Sequence, residues 1–131
     1  MQESLDLRAL ARDLADHHPA LRMLVHFGSR ARGHQHERSD WDFGFLAAEG
    51  LDLLALQAEL GLALRTDRVD LADLDRASGL LRFRVARDGV VLFERERGLF
   101  ERFWMDAVRF WCEAKPVLRA GYESVLERLG P

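Results

Sequence analysis

The chain is poor in several residues, and each shortage excludes something. It has one cysteine, Cys112, so no internal disulfide can staple it, and a reducing cytoplasm is the expected setting. It has one lysine, Lys115, so its positive charge is almost entirely arginine. No apolar run approaches the ~20 residues needed to cross a bilayer, and Met1-Gln2-Glu3-Ser4 has neither the basic region nor the apolar stretch of a secretory leader. Repeats, low-complexity tracts and linkers are also missing, so one domain is expected over residues 1–131. Positive charge is not in excess: the formal net charge is −3. That argues against a general nucleic-acid binder, which is normally basic. What is present is a globular balance, 48% hydrophobic and 31% charged residues, enough to bury a core.

Periodicity supplies the elements. Leu7, Leu10, Ala11 and Leu14 follow i, i+3, i+4, i+7 spacing, which predicts an amphipathic helix over 5–16, capped by Ser4 or Asp6 and followed by Pro19. Leu21 to Phe27 is a short apolar run ending at Gly28 and predicts a buried strand. Trp41 to Ala47 predicts a second strand, Leu51 to Leu64 a helix, and the alternating Val69 to Leu74 a third strand. Residues 77–87 are compatible with a helix, Asp88-Gly89 signals a turn, and Val90 to Phe93 predicts a fourth strand. Phe100, Phe103, Trp104, Ala107 and Trp111 recur at helical spacing, and Pro116 is expected to end that helix and start another running to Leu129. The expected fold is α/β (α+β): a small mixed sheet of about four strands flanked by helices. The core would span about 4–95 and a C-terminal helical tail about 98–129.

The chemistry concentrates in Phe27-Gly28-Ser29-Arg30-Ala31-Arg32-Gly33 and Ser39-Asp40-Trp41-Asp42. In the first half, a strand runs into Gly-Ser and then into helix-compatible residues. A helix start offers unpaired N–H groups and a positive dipole end to a phosphate, and Gly28 lets the phosphate approach the backbone. A plain strand–turn–helix joint capped by Ser29 would have the same local pattern. Arg30 and Arg32 are two positions apart and point to different sides of a helix, so only one of them can face phosphates. In the second half, strand alternation places Asp40 and Asp42 on one face and Trp41 on the other. Two carboxylates that close repel unless a cation lies between them, and hard oxygens on a rigid strand suit Mg²⁺. Asp70 opens the third strand. If that strand lies beside the second, Asp70 completes a two-metal site. A solvated strand end is the alternative for the Asp40–Asp42 pair, and a surface residue the alternative for Asp70, with Asp67, Asp73 and Asp75 close by. The four fixed positions, Gly28, Ser29, Asp40 and Asp42, match by chance at roughly 1 in 100,000 starts.

This pattern, Phe27-Gly28-Ser29, ten residues, then Asp40-Trp41-Asp42-Phe43, resembles the fingerprint of the DNA polymerase β-type nucleotidyltransferases. Within that superfamily it looks like the minimal nucleotidyltransferases of the MntA antitoxin type, which pair with HEPN-domain (HepT-type) toxins. The resemblance is strong over 24–46 and weaker through Arg68-Val69-Asp70-Leu71 and Gly89-Val90-Val91-Leu92-Phe93.

The resemblance implies that Gly28, Ser29 and Ser39 belong to the nucleotide site and that Arg32 pairs with the non-transferred phosphates. Asp40, Asp42 and Asp70 would bind two Mg²⁺ ions, with Asp70 also helping to deprotonate the attacking hydroxyl. The implied reaction is AMP transfer from ATP to a tyrosine of the toxin, which silences it. A nucleotidyltransferase acting on an aminoglycoside is a second reading, although the chain leaves little room for the added drug-binding region. An antitoxin acting by contact alone is a third, but it has no need of three clustered carboxylates. His34 and His36 read as exposed loop residues, His17-His18 as a helix end, and Cys112 as a buried, inert thiol. Trp104, Phe100, Phe103 and Trp111 read as core, part of it open to a partner.

Overall fold

The computed structural model describes residues 6–28, 30–31 and 40–129, apart from the side chains of Leu118 and Tyr122. The order is α1 (Leu7–His17), β1 (Leu21–Phe27), β2 (Trp41–Ala47), α2 (Leu53–Leu64), β3 (Val69–Asp73), α3 (Gly79–Asp88), β4 (Val90–Glu94) and α4 (Leu99–Leu129). The four strands form one mixed sheet in the order β3-β2-β1-β4. β1 runs antiparallel to β2 and β4, and β2 runs parallel to β3. This is the expected architecture, with strand limits within a residue of the sequence reading. None of the described helices is long and apolar enough to cross a membrane.

Local chemistry explains the helix starts. The Asp6 carboxylate accepts from the Ala9 amide, Asp52 from Ala55, and Ser78 Oγ from Leu81. Each satisfies an amide that the first helical turn leaves unpaired. Glu94 does the same for α4 from the end of β4, accepting from the Gly98 and Phe100 amides.

Alternation along the strands builds two cores. On one face Leu21, Leu24, Phe43, Phe45 and Val69 pack against Ala11 and Leu14 of α1 and Leu56 and Leu60 of α2. On the other, Met23, Val25, Leu46 and Leu74 pack against Val85 and Ala86 of α3 and Leu99, Phe103 and Ala107 of α4. The protein is therefore three layers, with the sheet in the middle. Arg95 locks the α1 end onto it: its guanidinium donates to the carbonyls of Leu21 (2.9 Å), Ala15 (3.0 Å) and His18 (3.4 Å).

Gly44, in the middle of β2, is set by the second core. A Cβ there would sit 2.9–3.1 Å from three carbons of the fully buried Leu74 side chain. Gly44→Ala is therefore expected to lower the unfolding free energy by about 1–3 kcal/mol, the usual cost of overpacking. Denaturant unfolding of the two proteins checks it.

Several expectations need correction. Pro116 does not end a helix: α4 runs without a break from Leu99 to Leu129 with the proline inside. Proline removes one amide donor but its φ is helical. Residues 112 and 113 are exposed, so the carbonyl that loses its partner there is open to water. Cys112 is exposed, not buried. Phe103 is core, but Trp104 is 44% exposed because it lies one residue round from the packed stripe. His17 and His18, which do close α1, also both reach Glu59 of α2, at 3.7 and 2.9 Å.

Candidate active site

Strand pairing brings the aspartates together. Asp42 and Asp70 are register partners across the parallel β2–β3 pair, and the Trp41 amide starts that pairing by donating to the Arg68 carbonyl at 2.9 Å. Trp41, Phe43 and Phe45 pack toward α1 and α2, as do Val69 and Leu71 of β3. Alternation then turns Asp42 and Asp70 toward the α3–α4 side. Asp40 sits just before β2, two residues from Asp42 and on the same phase. The condition the sequence left open, that the third strand must lie beside the second, is met.

The electrostatics report the same closeness. The Asp42 carboxyl is held above its ordinary 3.8, first by burial and then by the negative charges of Asp70 and Asp40. A carboxylate in this position is destabilising while it is charged and uncompensated.

Gly28 closes the site from the other side. Phe27 is the register partner of Asp42 across β1–β2, and Gly28 follows it with φ +86°. A Cβ on Gly28 would collide with Oδ2 of Asp42. The bare backbone of the Gly turn thus lies directly against the Asp42 carboxylate. Arg30 stacks its guanidinium over Trp41, 4.4 Å from the ring centroid. Trp41 belongs to the opposite sheet face, so Arg30 is turned away from the carboxylates. Ser29, Arg32 and Ser39, with His34 and His36, lie outside the described residues.

A cavity of about 370 Å³ adjoins Gly28, lined by Phe27, Gly28, Leu81, Arg84, Arg87 and Asp88. The fingerprint contains none of its α3 residues. A larger one, about 850 Å³, lies along α2 and the turn before β3, lined by Leu54, Leu62 and Val69 among others, and none of the three aspartates lines it. None of them lines the smaller cavity either, but that one includes Gly28, which lies against Asp42.

No three His, Cys, Asp or Glu side chains among the described residues already converge on one ion position. Mg²⁺ does not require that. It keeps several waters and completes its shell with substrate phosphates, needing one or two carboxylates from protein. Three neighbouring carboxylates with an elevated Asp42 fit such an ion, because a dication removes the repulsion that raises Asp42.

The sign of that coupling gives a test. A carboxyl with a raised folded pKa destabilises the fold above that pKa. The penalty is relieved as pH falls through it and is gone below 3.8. Asp42→Asn should therefore melt higher than the parent at neutral pH without Mg²⁺, and the gap should close on acidification. Adding Mg²⁺ at neutral pH should stabilise the parent and not the variant. Melting curves across pH, with and without the ion, check both.

Comparison with known proteins agrees with this geometry. Residues 11–98 match the family described as polymerase beta, nucleotidyltransferase. The chain belongs to that family. Within it, the chain is similar to the protein adenylyltransferase MntA of Aphanizomenon flos-aquae, with 34% identity over 95% of this chain and 93% of the relative. A solved toxin–antitoxin structure with AMP-PNP superposes with a TM-score of 0.75 at 31% identity, covering 91% of this chain and 98% of that one. A structure of a tri-AMPylated Shewanella oneidensis HEPN toxin in complex with MNT antitoxin superposes at 0.69 and 28% identity, over 92% and 96% of the two chains.

Proposed function

We propose that this protein is an antitoxin that transfers AMP from ATP to a tyrosine hydroxyl of a cognate HEPN-domain toxin in the cytoplasm. The observation that carries the proposal is the Asp40–Asp42–Asp70 group beside the Gly28 turn. The similarity to MntA over nearly the whole length supports the protein acceptor over a small molecule. So does the likeness to an antitoxin solved with a tri-AMPylated toxin. The three carboxylates also disfavour neutralisation by contact alone, since burial and mutual repulsion cost stability that a docking surface would not need.

In this reading one domain carries the reaction. Asp40, Asp42 and Asp70 would hold two Mg²⁺ ions, which when bound would supply charge neutralisation for the phosphates. Gly28 and Ser29 receive the triphosphate, with Arg32 and Ser39 as further nucleotide contacts. The tyrosine oxygen attacks the α-phosphorus in line, its proton passing to Asp70, and pyrophosphate leaves. Such transfers depend on positioning and charge stabilisation more than on covalent help from the protein.

The test is intact-mass analysis of the neighbour-encoded toxin after incubation with this protein, ATP and Mg²⁺. The toxin is expected to gain AMP-sized increments that disappear when its acceptor tyrosine is replaced by phenylalanine. A tight complex with no added mass would put contact neutralisation in its place.

A further inference from the structure

The cavity beside Gly28 contains positive charge that the fingerprint does not account for. α3 lies on the same sheet face as Asp42 and Asp70, since Val85 and Ala86 pack with Met23 and Val25. Leu81, Arg84 and Asp88 fall at i, i+3 and i+7 on that helix, one stripe, and all three line the cavity with Arg87. The two arginines are not equivalent. Arg87 is held by Asp88 through two hydrogen bonds, Nε to Oδ1 at 3.0 Å and Nη2 to Oδ2 at 2.8 Å, so its charge is cancelled next door. Arg84 has no ion pair or side-chain hydrogen bond among the described residues. It leaves the cavity wall with one uncompensated positive charge.

Gly28, which lines the cavity, has the Asp42 carboxylate against it, so negative charge borders the cavity at that turn. A bound nucleoside triphosphate has its reacting phosphorus at the carboxylates and must carry its remaining negative charge away from them. Gly28 and Arg84 line the same cavity, and Asp42 lies against Gly28. Arginine's planar fork suits two phosphate oxygens at once.

We propose that Arg84 binds the β- and γ-phosphates and so holds the leaving pyrophosphate. The inference rests on the nucleotidyltransferase reading above. In the reaction the acceptor oxygen forms a bond to the α-phosphorus and the bond from that phosphorus to the β-bridging oxygen breaks. The bridging oxygen keeps the electron pair, and the acceptor's proton goes to Asp70. Arg84 exchanges neither proton nor electron; it is a positioning residue for the departing charge.

The experiment is calorimetric titration of the full chain, in Mg²⁺, with pyrophosphate and separately with AMP, for the parent, R84A, R84K and R87A. R84A is expected to weaken pyrophosphate binding about tenfold or more, the usual scale for one charge-assisted contact, with AMP affinity unchanged. R84K should recover part of the loss, and R87A should lose less. Pyrophosphate affinity unchanged in R84A, no pyrophosphate binding by the parent, or equal loss of AMP and pyrophosphate would each overturn the assignment. AMP transfer by the parent is assayed in parallel. If the parent binds pyrophosphate through Arg84 but transfers no AMP, the transferase reading fails while the anion site stands.

Discussion

Replacing Asp40 and Asp42 together by asparagine is expected to reduce AMP transfer by about 10³-fold or more while leaving the chain folded. Asparagine keeps the size of each side chain, so the packing of Trp41 and Phe43 on the far side of β2 is not disturbed. What is lost is charge. In the proposed mechanism the two carboxylates would be hard ligands for the ions that neutralise phosphate, and such ions supply several kcal/mol of transition-state stabilisation. Each ~1.4 kcal/mol is a factor of ten in rate. Relief of the repulsion around Asp42 should raise the melting temperature of the ion-free variant at neutral pH. Initial rates paired with melting curves separate the effects. A variant that is folded and still transfers AMP within tenfold of the parent rate would remove the aspartates from the mechanism.

Gly28→Ala is expected to cost activity by about 10²-fold, with a smaller loss of stability. Two independent causes act at one position. The backbone there has φ +86°, a region in which a residue with a Cβ is strained by about 1–3 kcal/mol. The added methyl also meets Oδ2 of Asp42 and lies 3.1 Å from its Cγ. To relieve the contact, either the turn opens or the Asp42 carboxylate rotates, and both displace the phosphate site relative to the ions. Misplacement of about an ångström is enough for a loss of that size. Steady-state kinetics should show kcat falling as well as KM rising, and the Tm drop should be modest. A variant with normal kcat would mean that the Gly28 backbone is not close to the reacting phosphate.

The parts of this site that were legible in the sequence are those encoded by local spacing. β1 ends at Phe27 and β2 starts at Trp41 because apolar runs stop there, and the i, i+2 spacing of Asp40 and Asp42 decides their common face. Asp70 was legible as a residue but not as a neighbour. Its place depends on β3 pairing parallel with β2, a contact between strands that a 12-residue helix separates. Arg84 was not legible at all. Nothing in the spacing of α3 marks it apart from Arg82 or Arg87, and only the packing of Val85 and Ala86 decides which stripe meets Gly28. Arg82 illustrates the difference, since it turns back onto the Phe103 ring at 5.2 Å instead. The same limit explains Pro116. Its effect on α4 depends on whether the lost hydrogen bond is buried, and residues 112 to 117, apart from Ala114, are exposed. It also explains His17 and His18, which meet at Glu59 on another helix.

The most direct measurement follows the phosphorus. The protein, Mg²⁺ and the neighbour-encoded toxin are incubated with ATP labelled either at the α- or at the γ-phosphorus. Label on the toxin is then counted for the parent and for the Asp40→Asn, Asp42→Asn double variant. Transfer from the α-labelled nucleotide alone, with pyrophosphate released in equal amount and both lost in the variant, is the predicted result. Label arriving from the γ-position, or α-label transferred equally well by the double variant, would contradict the account.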